Sequence, residues 1–124
     1  KAKNIYVVLV NAKDQLLVEE ELMDISQLRE GAKTFLDNWG KNPTLSDNPQ
    51  KAIISLQNDR GTSYEMYISV QNELSAAYRE LRDREAQKKF GVSYTELKGD
   101  NKKEIRKMFP EKISEAEPKN VGGN

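Results

Sequence analysis

Ala52-Ile-Ile-Ser-Leu56, followed by Gln57-Asn-Asp-Arg-Gly61 and then by Thr62-Ser-Tyr-Glu65, is the stretch on which the fold turns. The aliphatic, β-branched run reads as a buried strand, and the polar, glycine-containing block after it as a tight connection. Thr62-Ser-Tyr-Glu65 has the form of a capping box, a hydroxyl answered three residues later by a glutamate, so a helix opens there. Tyr64, Tyr67, Ile68, Gln71, Leu74, Ala77, Tyr78 and Leu81 then recur at helical spacing as one core-facing stripe. Arg84, Glu85 and Lys88 take over the same positions, so the apolar face stops before the helix does. A helix carried on to Phe90 and capped by Gly91 has about 28 residues and a length of roughly 42 Å. That exceeds the width of a small domain, and its distal third is expected to project into solvent or to meet a partner.

Upstream, Asn4-Ile-Tyr-Val-Val-Leu-Val10 is a nearly unbroken apolar run, read as a strand inside a sheet. Asn11-Ala-Lys-Asp14 supplies turn chemistry, and Gln15-Leu-Leu-Val-Glu19 reads as the return strand of a hairpin. Glu19, Glu20 and Glu21 are read as a solvated strand end, because consecutive residues of an extended chain cannot all face one cation. Asp24-Ile-Ser-Gln27 opens a helix from about Ile25 to Asn38, with Ile25, Leu28, Ala32, Phe35, Leu36 and Trp39 as its core face. Gly40 ends it, and Lys41 to Gln50, with Pro43 and Pro49, is a loop.

Downstream, Ser93-Tyr-Thr-Glu96 is another capping box, and Asp100 is placed to cap a short helix through Lys107, with Ile105, Met108 and Phe109 as its apolar side. Pro110 stops it, and Lys112 to Glu117 reads as a short polar edge strand. The predicted class is α+β: a small mixed sheet, two main helices packed on one face, and a helical extension before the last strand. Residues 1–118 form one domain and 119–124 a flexible C-terminal tail in this reading.

Length supports a single domain: 124 residues hold one real core and no more. Lys plus Arg and Asp plus Glu each number 20, and the balance is even along the chain, 8 against 9 through residue 62 and 12 against 11 beyond it. Nucleic acid and anionic membrane surfaces need a clustered basic face, so neither is an expected partner. With no Cys and no His, thiolate nucleophiles, imidazole bases and the usual zinc ligands are excluded. No cofactor, metal site or enzymatic activity is expected. The chain lacks a run of about 20 apolar residues that could span a bilayer. It starts at Lys1 with almost no leader before the first strand, which suggests a fragment of a longer or processed protein.

Asn58-Asp-Arg-Gly-Thr62 is the one stretch of site-like character, a polar turn between a buried strand and a helix start. Such a turn can offer backbone donors, a helix dipole and an arginine to an anion. Without the glycine spacing of a phosphate loop, the first reading is structural: Asp59 and Thr62 tie the turn and Gly61 supplies a positive φ. The uncovered end of the long helix, Arg84 and Lys88 with Phe90, Tyr94 and Leu97 after it, is the candidate partner surface.

The strand at Ala52–Leu56, the turn with Asp59, Tyr64 just inside the helix and the Tyr67-Ile-Ser-Val70 segment form a pattern. Together with Asn4–Val10, Leu16-Leu-Val18 and Ile113-Ser-Glu-Ala-Glu-Pro118, this resembles the periplasmic domain of the ExbD/TolR biopolymer-transport family over about three quarters of the chain. The Gln57–Tyr64 block is most similar to ExbD-type members of Bacteroidetes-like bacteria. The resemblance implies a single-pass inner-membrane protein whose N-terminal transmembrane anchor lies outside these residues, working as a homodimer. The anchor would associate with an ExbB-like proton channel. The periplasmic domain would pass the effect of proton flow to a TonB-like protein that opens outer-membrane receptors for iron chelates and cobalamin. The family's proton-carrying aspartate sits in the anchor and has no counterpart here. Asp59 matches the family's usual aspartate at this turn. Residues 82–109 depart from the family pattern as a helical insertion. The alternatives are a TolR-like envelope-integrity module that binds peptidoglycan, and a small α+β enzyme or anion-binding domain using Asp59-Arg60-Gly61.

Overall fold

A computed structural model describes residues 2–116, so Pro118 and the expected tail at 119–124 lie outside the described residues. Five strands form one mixed sheet: β1 (Ile5–Val10), β2 (Leu16–Val18), β3 (Glu21–Met23), β4 (Ile53–Asn58) and β5 (Ile113–Glu115), in the order β3-β2-β1-β4-β5. β1 pairs antiparallel with β2, and β2 with β3, whereas β1–β4 and β4–β5 are parallel. The helices are α1 (Leu28–Leu36), α2 (Tyr64–Phe90) and α3 (Gly99–Met108). The α+β class and the mixed sheet are as expected.

Strand alternation decides which side chains meet the helices. Tyr6, Val8 and Val10 of β1, Leu16 and Val18 of β2, and Ile54 and Leu56 of β4 are buried on one face. They share a single core with Leu28, Ala32, Phe35 and Leu36 of α1 and with Val70, Leu74, Ala77, Tyr78 and Leu81 of α2. Tyr6 stacks on Phe35 with ring centroids 4.9 Å apart. The alternate residues, Ile5, Val7 and Leu9 of β1, Leu17 of β2, Leu22 of β3 and Ile53 of β4, stand on the opposite face, outside that core. The domain is therefore two-layered, with helices on one side of the sheet.

β3 is an element the sequence does not announce. Glu19 and Glu20 both take positive φ, 52° and 72°, and form the two-residue connection of a tight hairpin. Such turns ordinarily carry Asn-Gly, and here the Glu19 amide is tied to the Val7 carbonyl of β1 at 3.0 Å against the local cost. The Glu19 carboxylate accepts a hydrogen bond from the Val7 amide at 2.8 Å, filling the ladder position where β2 turns away.

Helix one is shorter than expected. A single 3-10 turn, Ile25–Gln27, is capped by Asp24, whose carboxylate accepts from the Ser26 amide, and the α-helix proper ends at Leu36. Trp39 thereby leaves the helical stripe. It adopts φ 52°, is 42% exposed rather than in the core, and meets the Phe109 ring edge-on at 6.1 Å. The loop after it is held from inside, where buried Ser46 donates to the Phe35 carbonyl and Asn38 donates to the Asn42 and Ser46 carbonyls.

The distal third of α2 does not project. Gly91 ends the helix in the left-handed conformation as expected. A 3-10 turn, Tyr94–Glu96, and α3 then pack against the helix. Ala86, Leu97 and Ile105 form a second small buried cluster, joined by Phe90, Val92, Tyr94 and Met108. The apolar residues for this cover come from after Gly91, which is why the stripe on α2 alone ends early. Neither Ser93 nor Asp100 caps a backbone amide. Ser93 bonds the Glu96 side chain, and α3 starts at Gly99 with Asp100 already in its first turn.

Burial pushes the phenols of Tyr6 and Tyr78 up to about 12. The folded protein keeps both protons where the unfolded chain, with tyrosine near 10, has released them. Stability is thus intact below about pH 10 and falls as pH rises from there toward 12. Phenolate absorbance and circular dichroism recorded together on alkaline titration check this. Two tyrosines are expected to ionise only with unfolding, and Tyr78→Phe is expected to move the transition to higher pH. Five tyrosines titrating together near pH 10 with the fold intact would contradict it.

Candidate functional site

The carboxyl ends of the parallel strands β1, β4 and β5 lie along one edge of the sheet, and there β4 turns into α2. A cleft of about 320 Å³ opens at this point. Asn58, Asp59, Arg60 and Thr62 line it from the turn, Tyr64 and Tyr67 from the first turn of α2, and Glu115 and Ala116 from the end of β5.

The turn is tied much as expected, with two corrections. The Asp59 carboxylate accepts from the Gly61 amide at 2.7 Å, and the Thr62 hydroxyl lies 3.2 and 3.1 Å from the carbonyls of Val10 and Asn11, lashing the turn to the end of β1. Thr62 is consequently not the helix cap. Ser63 is, its hydroxyl accepting from the Met66 amide at 3.1 Å, so the capping box is out of register by one residue. Gly61 does not have a positive φ. It is glycine because an added Cβ would lie 3.0 Å from the Ala12 Cβ and 3.3 Å from the Asp59 carboxylate.

These ties decide the electrostatics of the cleft. The Ser63 amide donates to the Asp14 carboxylate at 2.8 Å, and the Gly61 and Met66 amides have acceptors from within the turn. Three of the amides at the helix start are thus engaged by the chain's own oxygens, two of them carboxylates. On the far wall the Glu115 carboxylate accepts from the Tyr67 hydroxyl at 2.6 Å and from the Gln71 amide at 2.8 Å. The bond to Glu115 raises the Tyr67 phenol above its ordinary value. Tyr64, expected on the core stripe, is 75% exposed, its ring 6.4 Å from that of Tyr67.

Asn58, Tyr64, Tyr67 and Glu115 are the residues that sequence reasoning does not bring together as a group. Extending the strand's alternation two residues beyond Leu56 places Asn58 on the core face. Its proximity to Glu115 arises only from β4–β5 pairing.

The residues of the expected partner surface are dispersed. Leu97 is buried, and Phe90 and Tyr94 are half-buried within the second cluster. Tyr94 lies between two cations, with Arg82 5.2 Å and Lys102 5.1 Å from its ring centre, and its amide donates to Asp83. Arg84 donates to Asp37 at 2.6 and 3.0 Å and to Glu85 at 2.9 Å, while Lys88 stays open to solvent.

No model of a known protein family matches the chain, and no curated protein matches it.

Proposed function

We propose that the chain is the periplasmic coupling domain of an ExbD-like inner-membrane subunit, which acts without catalysis by passing the effect of proton flow from an ExbB-like channel to a TonB-like protein. The observation that carries the reading is the helix-free face of the sheet. Ile5, Val7 and Leu9 of β1, Leu17 of β2, Leu22 of β3 and Ile53 of β4 share this face with the polar Ser55 and Gln57; Leu22 is 70% exposed and Ile53 36%, and the other four aliphatic side chains are half-buried. Aliphatic side chains left on a sheet surface favour work through protein contacts. The segments that carry the family resemblance support the same reading, since they form β1, β2, the β4–turn–α2 unit and the edge strand β5.

The test removes the region for Lys1–Asn124 from the parent gene, keeps the membrane anchor at normal abundance, and follows energy-dependent uptake of cobalamin or a scarce iron chelate. Loss of uptake with an intact outer membrane supports the proposal. Normal uptake with a leaky envelope or chained cells selects the TolR-like alternative, and no defect of either kind overturns both. A Leu22→Glu, Ile53→Glu double variant sharpens the result, because it is expected to fold normally yet lose in-cell crosslinks to its partners.

A further inference from the structure

β1, β4 and β5 run parallel, and parallel strands are ordinarily covered by helices on both faces. Here α1 and α2 share a core with one face only, and the other is left with the aliphatic residues of β1, β2 and β3. At the amino ends of the strands this bare face opens into a groove of about 830 Å³, lined by Ile5, Ile53, Ala2 and Pro43 and by two cations, Lys3 and Lys51. Ile5 pairs with Ile53, so the same register sets the two lysines side by side, two residues ahead. No carboxylate lines the groove among the described residues. Asp47 beside it is paired with Lys3 at 2.8 Å, whereas Lys51 is exposed and makes no ion pair among those residues. Glu111, the acid just ahead of β5, lines a separate hollow with Gln71 and Ser75 on the helix side of that strand.

We propose that the bare face seats an amphipathic helix of a partner protein, with carboxylates at the end over Lys3 and Lys51 and an aliphatic side on Ile5, Ile53, Val7 and Leu9. This deepens the reading above and rests on its claim that the face works through protein contacts. β1, six residues long, offers about 20 Å at roughly 3.3 Å per residue, which matches a helix of about 13 residues. Carboxylates belong in the first turn of such a helix, where its dipole favours them, so the amino end is the one that meets the lysines. A bilayer is a poorer match. Ser55, Gln57 and Ser114 form a polar stripe on β4 and β5 beside the aliphatic residues. Lipid tails offer that stripe no hydrogen bonds, whereas polar side chains of a protein helix do.

The test is an amide NMR titration of the labelled full chain with two helical peptides of about 13 residues that share a leucine face. One carries glutamates in its first turn, and the other carries lysines there. The acidic peptide is expected to bind at least about tenfold more tightly, with shifts at residues 3–5 and 51–53 and along β1. Its affinity is expected to fall as salt is raised. Lys51→Glu, at an exposed side chain, is expected to weaken the acidic peptide about fivefold and to strengthen the basic one, with circular dichroism checking the fold of the variant.

Equal binding of the two peptides, or an affinity indifferent to Lys51→Glu, would overturn the proposal. So would shifts produced only by vesicles of phosphatidylglycerol and phosphatidylcholine, or the same shifts on concentrating the protein alone, which mark a second copy. The result separates from that of the transport reading. Peptides that fail to bind, while the Leu22→Glu, Ile53→Glu variant still loses its crosslinks, overturn the acidic helix and leave that reading standing. Selective binding of the acidic peptide, together with normal uptake after removal of the domain, overturns transport and leaves the helix-binding face.

Discussion

Phe109→Ala is expected to lower the unfolding free energy by about 3–5 kcal/mol, a large part of the 5–15 kcal/mol typical of a domain. Phe109 is fully buried in the main core, although it follows directly on α3, whose own buried residue Ile105 belongs to the second cluster. Its ring takes the edge of Trp39 and lies 5.8 Å from the Arg84 guanidinium, and its carbonyl accepts from Arg82 at 2.9 Å. The side chain therefore joins the segment at 91–108 to the sheet and α1. Urea unfolding followed by circular dichroism measures the loss, and hydrogen exchange locates it. In the variant, α3 amides are expected to exchange through local opening before the sheet does. A loss below about 1 kcal/mol, in the range of ordinary surface substitutions, would mean that the segment after α2 does not depend on the core for its fold.

Arg84→Glu is the second large effect, with an expected loss of about 2–4 kcal/mol. Glu85 is only 6% exposed, and its other cation, Lys88, is 3.8 Å away and largely in solvent. The substitution places a third carboxylate against Asp37 and Glu85. Adding Glu85→Gln is expected to recover part of the loss, as the buried charge is then gone.

The pH dependence provides a second reading of the same contact. In the native protein the Arg84 hydrogen bonds hold Asp37 below the ordinary 3.8 of an aspartate. A depressed carboxyl contributes stability above the unfolded value and loses it as pH falls through the folded one. The gap between native protein and variant should accordingly narrow below about pH 4. A gap that stays constant into acid would show that the cost is packing against Phe109 and not charge. Arg84 is a poor probe of a partner surface for the same reason, whereas Lys88→Gln, at an exposed side chain 3.8 Å from Glu85, removes a charge without adding a carboxylate beside it and isolates any effect on crosslinking.

Local chemistry makes several parts of this protein legible in its sequence. The β-branched runs at Ile5–Val10 and Ile53–Leu56, the Asn11–Asp14 turn and the glycine stop at Gly91 each depend on backbone preferences within a few residues. The Asp59 tie of the turn is legible for the same reason, because an Asx-type bond needs only the next two residues. What depends on neighbours distant in sequence is misjudged by local rules or escapes them. The β2–β3 turn holds two glutamates at positive φ where the Glu19 amide and carboxylate both bond the Val7 backbone, twelve residues back in β1. Trp39 is exposed because α1 ends after Leu36, where the loop held by Ser46 takes over.

By itself, then, the sequence determined the α+β class, the two main helices, the tight turn after β4 and the absence of thiol and imidazole chemistry, all properties of residue type and short spacing. Tertiary structure alone decided the strand order, the cover over the distal part of α2 and the meeting of Asn58 with Glu115 at one cleft. Periodicity reports that a face is buried, but the partner that buries it is chosen by the packing of segments distant in the chain.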